Sequence, residues 1–184
     1  MRIPNDHYLI IDLEATCADD GTVPRHEMEI IEIGAVMQSS LTYEIEAEFQ
    51  TFVRPVRHPL LTDFCTDLTG ITQNDLADAP AFADAIEKMK EWANAVDDAL
   101  FCSWGDYDWK QFQQDCAYHN VPYPFRSGHI NLKAEFSRKL GLKKKLGVGD
   151  ALRHLGMTFE GSPHRGLDDA KNIARIVRRV CIGA

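Results

Sequence analysis

The chain has 184 residues, of which 45% are hydrophobic and 26% charged, with a formal net charge of −8. That size and balance suit one compact domain, expected over residues 1–184, and exclude a disordered polymer. No apolar run approaches the ~20 residues of a membrane span, Met1 to His7 shows no secretory signal, and the five scattered cysteines (Cys17, Cys65, Cys102, Cys116, Cys181) contain no CxxC pair, so buried free thiols in a cytoplasmic protein are expected rather than a zinc knuckle.

Tyr8 to Leu13 is a short apolar, β-prone run and reads as a buried strand. Ala18 to Met28 is polar, contains Gly21 and Pro24, and reads as a loop. Ile30 to Met37 and Tyr43 to Val53 follow as two more strands, joined near Ser39-Ser40, which suggests an antiparallel meander. Pro59 to Gly70 is mixed, with room for a short helix. Pro80 to Ala95 carries Phe82, Ile86, Met89 and Ala93 at helical spacing, and Pro80 fits a helix start. Ala99 to Ser103 is a fourth apolar run, followed by a helical stretch over Asp106 to His119. His129 to Leu132 is a fifth strand candidate. Lys133 to Leu140, Val148 to Leu155 and Asp168 to Val180 read as helices. Strands first, then helices alternating with strands, predict an α/β fold: a mixed sheet flanked by helices. Strand order is not legible in this pattern.

Three groups of acids interrupt these elements. Asp12 and Glu14 stand two apart in the first strand, so they share one face. Two carboxylates at the end of an apolar strand repel each other, and their burial is costly unless a cation intervenes. Oxygen donors of this kind suit Mg²⁺ or Mn²⁺. A strand that stopped at Ile11 would instead leave both exposed. The second group is Ser103-Trp104-Gly105-Asp106-Tyr107-Asp108, where Asp106 or Asp108 could be a ligand and Asp106 is the better-placed helix cap. The third is His164 to Asp169. Asp169 lies four before Ile173, on the apolar side of the last helix, whose Ile176, Val177 and Val180 also face the core, and Asp168 is an alternative ligand or cap. His164 falls in the preceding loop, where a plain surface histidine is the simpler reading. The net charge argues weakly against a nucleic-acid binder. Carboxylates gathered around metals would account for part of it. Basic residues cluster at Lys143-Lys144-Lys145 and at Arg175, Arg178 and Arg179, and a solvated surface would explain both.

Taken together, these blocks resemble the DEDDh branch of the 3′→5′ exonucleases, within it the group that trims histone-messenger and small interfering RNAs. The motifs are Ile11-Asp12-Leu13-Glu14-Ala15-Thr16-Cys17, then Glu29 to Gly34, then Phe64-Cys65-Thr66-Asp67-Leu68-Thr69-Gly70-Ile71-Thr72-Gln73, and finally Gly161-Ser162-Pro163-His164-Arg165-Gly166-Leu167-Asp168-Asp169-Ala170. The resemblance implies a ribonuclease-H-like fold with a five-stranded mixed sheet. It favours Asp108, preceded by the aromatic Tyr107, over Asp106. It also favours Asp169, five residues after the histidine, over Asp168.

The resemblance further implies two divalent metal ions, Mg²⁺ or Mn²⁺, about 3.5–4 Å apart. Asp12, Glu14, Asp108 and Asp169 are the implied ligands and His164 the implied general base. The terminal base is expected against Phe64, Leu68 and Tyr107, and the terminal ribose against the backbone around Ala15 and Thr16. The expected partner is nucleic acid with a free 3′ end, RNA before DNA, and no membrane. A DNA exonuclease of the same fold and a catalytically silent RNA-binding module are the two alternatives.

Overall fold

The computed structural model describes residues 6–93, 99–125 and 128–182. Five strands form one mixed sheet in the order β3-β2-β1-β4-β5. These are β1 (His7–Ala15), β2 (Ile30–Ser39), β3 (Ile45–Phe52), β4 (Leu100–Ser103) and β5 (His129–Asn131). The first three form the expected antiparallel meander, while β4 and β5 run parallel to β1. Helices α1 (Asp63–Thr69), α2 (Gln73–Ala77), α3 (Phe82–Ala93), α4 (Tyr107–His119), α5 (Leu132–Lys139), α6 (Val148–His154) and α7 (Gly166–Ile182) complete the chain. Among the described residues no helix is long and apolar enough to cross a membrane.

The alternation along β1 explains the layering. Leu9, Ile11 and Leu13 point into one apolar cluster, with Phe82, Ile86 and Met89 of α3 and Phe112 of α4. Tyr8 and Ile10 point the other way, into a second cluster with Val36, Cys102 and Ile173 and Ile176 of α7. Asp12 and Glu14 continue this even-numbered face, so they emerge on the α7 side of the sheet.

Several boundaries differ from those read in the sequence. β1 runs on to Ala15, past both acids, because Glu14 still pairs with Glu32 before the register shifts at Ala15. β3 begins at Ile45 rather than Tyr43, since Tyr43 takes a left-handed turn conformation with φ 57°. Asn131 leaves β5 to cap α5, accepting from Ala134 N at 2.9 Å. The end of the predicted Pro80–Ala95 helix lies outside the described residues. Helix α2 was not expected. Its signal is Thr72 with Asp75, a reciprocal capping box just ahead of the helix.

Thiol burial is mixed. Cys65, Cys102 and Cys116 are buried as free thiols, but Cys17 and Cys181 are half-exposed, which corrects the expectation of five buried thiols.

One contact sets the position of α7. A Cβ built on Gly34 of β2 would lie 1.9 Å from the carbonyl carbon of Gly166 and 2.0 Å from Leu167 N. Only a hydrogen at residue 34 lets the helix start rest on the strand. Glu32, fully buried two residues earlier, completes the joint. It accepts from Gly166 N at 3.0 Å and from Arg165 Nε and Nη2, each at 3.2 Å, and also bonds Gln50. Gly34→Ala should therefore cost about 3 kcal/mol or more, since backbone cannot yield as a side-chain tip can. Urea unfolding checks this, with Gly128→Ala as the control, because a Cβ there meets open space.

Candidate active site

The site lies at the carboxyl end of β1, where α4, α7 and the loop ahead of α7 converge. Asp12, Glu14 and Asp169 each offer an oxygen, and these all lie within 4.8 Å of one another. Asp12 and Glu14 arrive from adjacent same-face positions of β1. Asp169 arrives from the first turn of α7, whose start is fixed on Gly34 and Glu32. Glu14 is 8% exposed, and Asp12 and Asp169 are half-buried.

Asp108, in the first turn of α4, lines the same cleft but is not one of this close trio. It is 4% exposed, and its Oδ1 accepts from Leu13 N at 3.1 Å, between the two strand acids. Asp106 takes the helix N-cap position without a side-chain capping bond, and its carboxylate accepts from Asn131 Nδ2 at 2.8 Å, away from the acids. Asp168 accepts from Ser162 N at 2.8 Å and so ties down the loop before α7. The structure therefore brings Asp12, Glu14, Asp108 and Asp169 to one cleft and leaves Asp106 and Asp168 in supporting positions.

His164 is exposed and lines the cleft beside Asp169. Its backbone is left-handed, with φ 60°, an uncommon conformation for a residue with a side chain. The turn is held because His164 N donates to Asp169 Oδ2 at 2.7 Å. One oxygen of Asp169 thus orients the histidine loop.

Electrostatics at the site run against ionisation. Burial and the neighbouring Asp108, Asp169 and Glu14 hold Asp12 well above the usual carboxylate range. Burial, then Asp169 and Glu32, pushes Glu14 up to about 8. Burial raises Asp108 to about 6, although the Leu13 N–H opposes this, and burial also raises Asp169. Among the described residues none of the trio has a Lys or Arg ion-pair partner. Clustered oxygen donors without a protein counter-charge fit hard divalent cations.

A stability prediction follows. Between about pH 4, where unfolded carboxyls ionise, and about pH 8 the folded metal-free protein keeps protons that the unfolded chain has lost. Its stability should therefore fall as pH rises through this window. Divalent cations take the deprotonated carboxylates, so Mg²⁺ or Mn²⁺ should raise Tm more at the alkaline end than at the acid end. Thermal melts with and without EDTA measure this, and a metal effect independent of pH would contradict it.

Of the residues expected near the substrate, Ala15, Leu68 and Tyr107 line the cleft. Phe64 does not, but it sits one turn before Leu68 on the same face of α1, and both are 38% exposed. Thr16 is buried behind Ala15: its hydroxyl oxygen accepts from Glu29 N at 2.9 Å, and its own N–H donates to Glu29 O. The Arg25 guanidinium lies 4.4 Å from the centre of the Tyr107 ring. Sequence reasoning passed over Cys17, Met28, Trp104, Lys133 and Arg153, which also line the cleft. Lys133 had a visible signal: it is a lone cation next to the end of the short strand β5.

Residues 9–177 match the family model described as Exonuclease, RNase_T. The chain belongs to this exonuclease family. "ERI1 exoribonuclease 3" of Bos taurus is 37% identical over 180 residues, covering 94% of this chain and 52% of the relative. The "3'-5' exoribonuclease 1" of Homo sapiens is 36% identical over 185 residues, covering 95% and 52%. The chain thus spans about half the length of the curated relatives it matches. The crystal structure of the nuclease domain of 3'hExo, a DEDDh family member, bound to rAMP, superposes with a TM-score of 0.90 at 34% identity, over 98% of this chain and 94% of that one. This exonuclease therefore has the ribonuclease-H-like fold expected, and its relatives are those of the expected DEDDh subgroup.

Proposed function

We propose that this exonuclease-family chain is a metal-dependent 3′→5′ exoribonuclease that releases nucleoside 5′-monophosphates. The observation that carries the reading is the trio of carboxylate oxygens within 4.8 Å, with His164 on the same cleft. Asp12, Glu14 and Asp169 would hold the divalent cations, with Asp108 as a further ligand. Such cations, when bound, lower the pKa of a water and offset charge on the leaving 3′ oxygen.

The chain's own groups do the rest. His164 accepts the proton of the attacking water, a role that needs the neutral imidazole. The Asp169 carboxylate aims it by holding its backbone N–H. Leu68 and Tyr107, with Phe64 a turn away, offer apolar surface for the terminal base, and stacking of this kind accepts any base. The terminal ribose meets the backbone at Ala15, the place where a 2′-OH would be sensed. Thr16 supports that backbone from behind rather than touching the sugar with its side chain. The preference for RNA is supported by the exoribonuclease relatives and by a related nuclease domain that binds rAMP.

The test is a time course on 3′-labelled single-stranded RNA and DNA of matched sequence with Mg²⁺ or Mn²⁺. Labelled nucleoside 5′-monophosphate should be released from RNA at the earliest times. Faster release from DNA would move the reading to a DNA exonuclease. Metal binding without hydrolysis of either would move it to a silent module.

A further inference from the structure

A polyanionic substrate must cross a protein of net charge −8 to reach a floor of four carboxylates. The cations that line the cleft, Lys133 of α5 and Arg153 of α6, both come from the α5–α6 part of the chain. Arg153 is already paired with Asp150, an exposed contact one turn away. Lys133 is half-buried and, among the described residues, has neither an ion-pair partner nor a hydrogen bond from its ammonium group.

The loop between α5 and α6 continues this edge. Gly147 at its end, and Val148 and Gly149 at the start of α6, line the cleft directly. Lys143, Lys144 and Lys145, separated from them by Leu146, are all exposed. The loop is anchored on both sides of these lysines. Leu142 N donates to Ser137 O at 2.9 Å, Leu146 O accepts from Trp104 Nε1 at 3.0 Å, and both leucines pack on the α7-side cluster. Three adjacent ammonium groups are thus held outward, beside a cleft wall that includes Trp104 itself.

Other basic residues contrast with them. Arg138, Arg165, Lys171, Arg175 and Arg178 each pair with a carboxylate. Among the described residues Lys143, Lys144 and Lys145 pair with none. Adjacent like charges without a counter-charge repel one another, and a string of phosphates relieves that repulsion.

We propose that Lys133 and the Lys143–Lys145 loop form a phosphate track for the strand lying 5′ of the bond that is cut, leaving the cleft across its α5–α6 edge. This deepens, and rests on, the exoribonuclease reading. Bases need no contact on such a track, so it binds single strands by charge and without regard to sequence. Each additional phosphate reached by the loop adds to affinity, so long substrates gain over a dinucleotide.

The test compares the Lys143→Ser, Lys144→Ser, Lys145→Ser triple variant with an Arg54→Ser, Lys88→Ser, Arg179→Ser control. The control removes the same charge from exposed residues outside the cleft. Binding of a labelled single-stranded RNA of about 12 nucleotides is measured in EDTA across a salt series. The triple variant should bind roughly tenfold more weakly at low salt, and the slope of log K against log salt should flatten by about 2, as expected for three lost phosphate contacts. The control should follow wild type. In turnover, the ratio of kcat/KM on that RNA to kcat/KM on a dinucleotide should fall in the triple variant alone.

Equal loss in the control would show a general charge effect, and full retention in the triple variant would show no track. Either result overturns the proposal. Failure of the wild type to cut any RNA would overturn the exoribonuclease reading instead, while the binding series would still decide the track.

Discussion

Asp12→Asn is expected to lower exonuclease turnover by about 10³-fold or more while leaving a folded protein. Asparagine keeps the shape of the side chain, so β1 should still pair with β2 and β4. What changes is charge at the centre of the site. Asp12 faces Asp108, Asp169 and Glu14 at once, and burial with that repulsion raises its carboxyl well above the usual range. A carboxamide is a poor substitute ligand for a hard cation, so metal affinity falls with the rate. Asparagine is neutral at every pH, so the metal-free protein no longer bears the cost of protonating a carboxyl there on folding. Its Tm in EDTA should therefore rise above that of wild type near neutral pH, as expected where a site is held in place at a cost in stability. Steady-state assays and thermal melts on one preparation supply both readings. A near-wild-type rate would remove Asp12 from the mechanism.

The second large effect is expected at His164. His164→Ala should reduce kcat by about 10²- to 10⁴-fold, the usual contribution of a positioned general base. Metal binding should be nearly intact, because the carboxylate trio does not include the imidazole. The left-handed backbone at this residue provides a second variant. Glycine adopts φ 60° without strain, so His164→Gly should hold or slightly raise Tm while losing the same activity. Loss of activity together with loss of stability in both variants would mean that the histidine serves the loop and not the reaction. Full activity in the glycine variant would exclude it as the base.

The sheet was legible because its strands are short apolar runs bounded by polar loops, and their apolar positions had few places to go. Asp12 and Glu14 could be placed on one face by spacing alone. That Asp169 would meet them on that face was not legible from spacing, because it depends on which side of β1 receives α7. Gly34 and Glu32 decide that side, through a contact between residues more than 130 positions apart. The choice of Asp108 over Asp106 came from resemblance. The physical reason appears only in the structure, where Asp106 turns to Asn131 and Asp108 reaches Leu13 N. Thr16 shows the opposite limit: its place in a motif suggested a ribose contact through the backbone, and nothing in the sequence foretold that its hydroxyl accepts from Glu29 N inside the fold.

The joint between β2 and the start of α7 also governs when the candidate site is first complete. His164 and Asp169 sit on a segment that docks through Gly34, Glu32 and Arg165 and through the apolar face of α7, and the strand acids are made some 150 residues earlier. A nascent chain that has synthesised the sheet but not yet released α7 from the ribosome presents Asp12 and Glu14 without Asp169 or His164. On the exoribonuclease reading, the order of synthesis itself then delays hydrolysis until the helix is free to dock.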